Sequence, residues 1–337
     1  MNVDALGALA RPVILAPMAG GASTPALVAA VSDAGGLGFL AAGYKPAAGM
    51  REEIERTRAA TSRPFGVNLF LPSLDPVDTG AVAAYRDRVA ADAARLGVEP
   101  GVPGPRDDDY DAKIADLLAD PPEAVSFTFG LPSAEVLRAF RERGTLTIVT
   151  VTTADEASAS GAADVLCVQG KEAGAHRGSF TNTLDGGVPL RELLTAVRAV
   201  SERPLIAAGG LATAAHLAEV LALGAVAGQF GTAFLRCPES GANPVHKAAL
   251  ADPRFTRTEM TRAFSGRPAR GLVNRFQAEN SPHAPAAYPD VHHVTSPIRK
   301  AAAAQGDAET TSLWAGESFR LASTAPAARI VEELSPE

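Results

Sequence analysis

Eight short apolar runs, separated by turn residues and helical patterns, constrain this chain more than any other feature. They occupy residues 13–16, 37–41, 65–69, 124–129, 145–151, 164–168, 204–208 and 226–230. The runs are apolar throughout rather than at every second position, which is the pattern of strands covered on both faces and hence of a parallel sheet. Helical signals fall between most of them. Thr24 precedes Pro25 and an apolar-periodic stretch that ends at Gly35, a cap, a first-turn proline and a terminator in the expected order. Residues 134–143, 154–160, 189–200 and 213–223 read as further helices, the third with Leu190, Leu193, Leu194 and Val197 on one face. Eight βα units within about 235 residues predict an α/β fold, a (β/α)8 TIM barrel. An open doubly wound sheet is the competing topology.

Two stretches break the rhythm. Residues 71–122 are too long for one crossover and hold a polar helical stretch (81–95), a Pro/Gly run (97–105) and a second helix near 111–118. From about residue 237 the alternation stops. At ~150 residues per domain, 337 residues predict about two domains. The expected division is a barrel from residues 1–70 and 123–235. Residues 71–122 and 236–337 then form a smaller, mainly helical lid on the substrate side.

Net charge is −7, with no block of like charges, so neither nucleic acid nor an anionic membrane is an expected partner. No basic leader or bilayer-length apolar span is visible at the N-terminus. Cys167 and Cys237 match no metal spacing and suit free thiols in a reducing cytoplasm. No metal site is expected.

The one dinucleotide-type match, Gly36-Leu37-Gly38-Phe39-Leu40-Ala41, has helix and strand in inverted order. No phosphate-binding GxxxxGK[ST] loop, HExxH helix or GxSxG elbow occurs. Glycine and polar residues gather instead at the C-terminal ends of the runs: Met18 to Gly21, Asn68, Gln169 to Gly178, Gly209-Gly210 and Gln229 to Thr232. In a barrel those ends form the site, and loops seven and eight commonly bind phosphate. His176, between Gly174 and Gly178, has the setting of a general base. Lys171, Glu172 and Arg177 read as loop anchors. Trp314 reads as a core or domain-packing residue, and His216 and His246 as solvated. His292-His293, beside Tyr288, face a pocket or decorate a loop, and do not by themselves make a metal site.

With PVILAPMAGG, FGVNLF, CVQGKEAGAHRG, PLIAAGGL and AGQFGTAFL in that order, the chain resembles the nitronate monooxygenases, formerly 2-nitropropane dioxygenases, over about residues 12–316. SFTFG and LWAG resemble the class I type. The resemblance implies a TIM barrel holding non-covalent FMN under a smaller helical domain. It also implies oxidation of alkyl nitronates by O2 to a carbonyl compound and nitrite. Carried over by position, Met18 contacts the flavin through its backbone, and Asn68 and Gln169 hydrogen-bond the cofactor. Gly174, Gly210 and the run Gln229, Phe230, Gly231 and Thr232 hold its ribityl phosphate end. His176 is then the catalytic base, needed when a neutral nitroalkane is the substrate. Thr128 stands in SFTFG where some class I members carry a second His. Tyr288, His292 and Lys300 are the candidates to bind a carboxylate such as that of propionate 3-nitronate. The implied partners are a nitronate and O2, and a homodimer is the assembly considered. Two other readings remain: an NAD(P)H:quinone or enoyl reductase on the same scaffold, and a flavin-binding barrel without turnover.

Overall fold

The computed structural model describes residues 1–73, 75–184 and 186–335. Residues 74, 336 and 337, within the stretches expected for the second domain, lie outside the described residues. Eleven strands occur among the described residues: β1 (Val13–Leu15), β2 (Gly38–Ala41), β3 (Phe65–Phe70), β4 (Ala124–Thr128), β5 (Leu146–Val151), β6 (Val165–Gln169), β7 (Ala175–His176), β8 (Leu205–Ala208), β9 (Ala225–Phe230), β10 (Thr258–Thr261) and β11 (Ala269–Leu272). Eight of them match the apolar runs to within a residue or so at each end. They pair in the order β1-β9-β8-β6-β5-β4-β3-β2, with all pairs parallel. A parallel bridge between Ile14 and Leu37 joins β1 to β2, so the sheet closes. The fold is the (β/α)8 barrel.

The strands are apolar on both faces because each face meets a different core. Leu166 and Val168 of β6 face outward toward the helices, whereas Val165 and Cys167 face the barrel interior. Leu6, on the N-terminal helix Val3–Gly7, packs with the interior set. Outside, the helix Leu190–Arg198 buries Leu190, Leu193, Leu194 and Val197, each worth about 1.5–3 kcal/mol when removed from water. The start signals act as read: Thr24 accepts from Leu27 N with Pro25 at the first turn, and Thr213 accepts from His216 N.

A second hydrophobic cluster combines Val82, Tyr85 and Val89 with Phe264, Phe276, Val291, Val294 and Ile298. It therefore draws on both irregular stretches. Three features differ from expectation. The helical stretch at 81–95 is two helices, Thr79–Arg88 and Ala90–Arg95, on either side of Val89. The helices Tyr110–Ala119 and Ala327–Leu334 pack with the barrel layer, because Ile114, Leu117, Ile330 and Val331 face that core. The second region also carries strands that no apolar run announces: β10 and β11 form an antiparallel sheet with β7, which comes from the barrel stretch. No helix among the described residues is long and apolar enough to cross a membrane.

Candidate active site

A cavity of about 280 Å³ opens at the C-terminal ends of the barrel strands, the end where this architecture places its chemistry. Its floor is polar. Asn68, almost fully buried on β3, shares its Nδ2 hydrogens among Ser126 Oγ (2.9 Å), Thr128 Oγ1 (3.0 Å) and Ser126 O (3.2 Å). Gln169, at the end of β6, donates from Nε2 to His176 O (3.2 Å) and accepts at Oε1 from Gly178 N (2.8 Å). Its amide thus clamps both sides of the loop that carries His176. Gln229 Nε2 donates to Cys167 Sγ at 3.4 Å. Burial pushes that thiol up to about 12, so it stays protonated and unreactive. Both cysteines are free and buried.

One rim of the cavity is backbone. Gly209 and Gly210 take φ of +108° and +71°, values that L side chains rarely adopt. Among the described residues, the amide N–H groups of Gly209, Gly210 and Gly231 donate to no protein acceptor. Several free N–H groups at one edge form a receptor for an anion. Ser318 Oγ donates to Gly210 O (2.6 Å), and Thr232 Oγ1 accepts from Gly316 N (3.0 Å), so the rim is braced by the C-terminal segment. A Cβ on Gly174 would lie 2.4 Å from Gly316 N; glycine there lets the His176 loop approach LWAG. Met18 also lines the cavity, but its N–H donates to Ser23 Oγ (2.9 Å) and its carbonyl accepts from Ser23 N (3.3 Å).

The opposite wall is made of side chains. His176 sits on β7, whose partner strand β11 belongs to the second region, so the imidazole lies at the seam. Its Nε2 is 2.9 Å from Ser265 Oγ and 3.5 Å from Tyr44 OH. The rings of Phe129, Tyr288 and Trp314 surround it at 5.6–5.9 Å between centroids. Burial, reinforced by Arg267 and Arg299, holds its pKa down to about 3, so the ring is neutral near pH 7. Tyr44, Phe129 and Ala175 all have positive φ (66°, 78° and 60°). Such backbone conformations persist where the surroundings enforce them, as at a site.

Two arginines support this wall: Arg299, half-buried, and Arg267, almost fully buried behind the lining. Arg299 lines the cavity and donates to Thr295 Oγ1 (3.1 Å), His292 Nδ1 (3.1 Å) and His292 O (3.2 Å). Arg267 donates to Ser179 O, lies 4.1 Å over the Phe129 ring, and leaves its Nε without a partner. Burial lowers both to about 10, so both stay charged. Neither has a carboxylate within ion-pair distance among the described residues. Buried charge of one sign favours an anion in the adjacent cavity.

Met18, Asn68, Thr128, Gln169, Gly174, His176, Gly210, Gln229, Gly231, Thr232 and His292 therefore share one cavity. Four expectations need correction. Lys300 is exposed and outside the lining; the cation facing inward is its neighbour Arg299. Phe230 turns its ring into the strand–helix layer. Tyr288 packs behind His176 and lines an adjoining cavity instead. His246 is buried, not solvated, with Nε2 donating to Trp314 O at 2.8 Å. Trp314 is half-buried and faces the cavity as well as the second core. Sequence reasoning missed Tyr44, Ser265, Arg267 and Arg299.

Comparison with known proteins converges on one group. The family model described as nitronate monooxygenase matches residues 5–337. A nitronate monooxygenase of Pseudomonas aeruginosa is 39% identical over 339 residues, covering 97% of this chain and 96% of that protein. The structure of a nitroalkane oxidase from Streptomyces ansochromogenes superposes with a TM-score of 0.95 at 54% identity, covering 98% of this chain and 96% of the other. FabK from Thermotoga maritima superposes at 0.75 with 28% identity, covering 98% and 94%.

Proposed function

The chain belongs to the nitronate monooxygenase family of oxidoreductases, and from that premise we propose that it binds FMN and oxidises alkyl nitronates with O2 to a carbonyl compound and nitrite. One observation carries this reading. A single cavity has free backbone N–H groups on one side and, on the other, a neutral imidazole and the half-buried Arg299, which has no carboxylate partner among the described residues.

The residues present fit the flavin. The unpaired amides of Gly209, Gly210 and Gly231 suit its phosphate, and no side chain at those positions fills the cradle. The polar floor of Asn68, Gln169 and Gln229 suits the edge of a heteroaromatic ring. When bound, FMN supplies one-electron chemistry between nitronate and oxygen. The protein's own part is binding, orientation and proton handling.

Arg299 holds the anionic nitro oxygens against the seam, where charge-assisted hydrogen bonds are strongest. His176 takes the α proton when the substrate arrives as a neutral nitroalkane. The incipient imidazolium then stands beside the nitronate it has made, which offsets the repulsion from Arg267 and Arg299. An already anionic nitronate needs no proton removed, and there His176 serves to position it. Propionate 3-nitronate, with a second negative charge, is a candidate substrate on the same grounds.

The test pairs two substrates with one variant. His176→Asn is expected to slow nitroethane oxidation by about 10²-fold or more, the usual scale of general-base catalysis, and to change ethyl nitronate oxidation only a few-fold. Equal losses on both would remove the base assignment. In the same anaerobic mixing apparatus, nitronate should reduce the wild-type flavin while NADH leaves it oxidised. Bleaching by NADH alone would select the reductase reading.

A further inference from the structure

Two cavities meet at one pair of stacked rings. Beside the inner cavity lies an outer one of about 290 Å³, with the exposed Pro105 and Asp107 on its rim, so it opens to solvent. Tyr44, Phe70 and His292 line both. The rings of Tyr44 and His292 face each other with centroids 3.9 Å apart and planes within 6°. Rings in such contact leave no passage between them.

The partition is held from both sides. Tyr44 has φ +66°, and its N–H donates to Asp108 Oδ1 (2.9 Å). Asp108 is itself fixed by Lys113, which is almost fully buried (2.8 Å). His292 is fixed by Arg299 through Nδ1 and its carbonyl. Burial, then Arg299, hold His292 well below the ordinary imidazole range. The wall therefore presents uncharged ring faces to whatever lies against it. Its inner face is close to the chemistry, since the Tyr44 hydroxyl is 3.5 Å from His176 Nε2.

We propose that the Tyr44–His292 stack sets substrate chain length: with the nitro-bearing carbon at His176, the alkyl tail ends at the stack, so short nitronates are preferred and longer ones would need the outer cavity. The proposal rests on the nitronate-oxidising reading above. Once the wall is opened, each methylene that gains a buried place should improve binding about fourfold.

The experiment measures kcat/KM for the nitronates of nitroethane, 1-nitrobutane, 1-nitrohexane and 1-nitrooctane. The proteins are flavin-loaded wild type, His292→Ala and His292→Phe. In His292→Ala the hexyl-to-ethyl ratio should rise at least tenfold; His292→Phe, which restores a stacking ring, should keep the wild-type ratio. Tyr44→Gly, suited to the left-handed backbone there, opens the wall from the barrel side and should match His292→Ala even if the latter does not fold. Calorimetry with hexanoate, whose carboxylate stands for the nitronate, gives a readout apart from turnover: its Kd should tighten in the opened variants only. An unchanged ratio in folded, opened variants overturns the proposal. So does a Phe variant that shifts like the Ala variant. If no protein oxidises any nitronate while hexanoate still tightens on opening, the chain-length wall stands and the assigned activity falls.

Discussion

The two walls of the cavity are made of different material. On the barrel side, the strand ends offer glycine backbone and the short amides Asn68, Gln169 and Gln229. Across from them, the second region offers His292, Arg299, Ser265 and Trp314, with His176 on a strand shared between the two. Backbone N–H groups recognise charge and shape whatever the side chain, provided none intrudes. Side chains recognise through their own identity, and one substitution changes the outcome. The difference divides the labour: the barrel wall suits a fixed cofactor, and the opposite wall suits a substrate whose identity can vary.

Three changes would break or sharpen that division. The largest effect is expected at Gly210→Val. A β-branched residue does not tolerate φ +71°, and its Cβ would lie 2.9 Å from Glu172 Cβ. Flavin affinity should fall about 100-fold, equivalent to about 2.7 kcal/mol, read from the flavin absorbance retained after dialysis. Full retention would show that the rim does not hold the phosphate. Next is Arg299→Met, which keeps the length of the side chain but removes its charge. KM for ethyl nitronate should rise about tenfold to 100-fold, the scale of a lost charged hydrogen bond, with flavin content unchanged. Simultaneous flavin loss would mean that the walls are not separable.

The smallest effect concerns pH. The side-chain wall leans on buried neutral imidazoles, and the glycine rim has nothing to titrate. Burial lowers His246 to about 4 from its ordinary 6.5, so the unfolded chain binds the extra proton first as pH falls. Stability from this residue is therefore complete above about pH 6.5 and lost toward pH 4, amounting to about 2 kcal/mol between pH 7 and 5. A Tm series should fall across that window in the wild type, and less steeply in His246→Gln. Equal slopes would place the acid sensitivity elsewhere.

The barrel was legible because its signal is repeated: buried strands must be apolar on both faces, and eight such runs leave few topologies. The rim was legible as glycine at strand ends. The opposite wall was not, for local reasons. β7, β10 and β11 are two to four residues long and read AH, TEMT and ARGL, without apolar periodicity. From the sequence Lys300 is named and Arg299 passed over, although helix period places 292, 295 and 299 on one face and turns residue 300 away. The same rule puts His246 on the side of Ala249 and Leu250, the buried face of its helix. Tyr44 and Ser265 lie in loops, where only the folded chain shows what they meet.

The second hydrophobic cluster has a consequence during synthesis. Its first half, Val82 to Leu96, leaves the ribosome about 200 residues before Ala302 completes the other half. At ~5–20 residues per second that gap lasts roughly 10–40 s, while β4 through β9 and their helices emerge in between. For most of that interval, until Ala263 and Phe264 emerge, the faces of Val82, Tyr85 and Val89 have no native partner, and the nascent chain carries them exposed while the barrel strands are still being made.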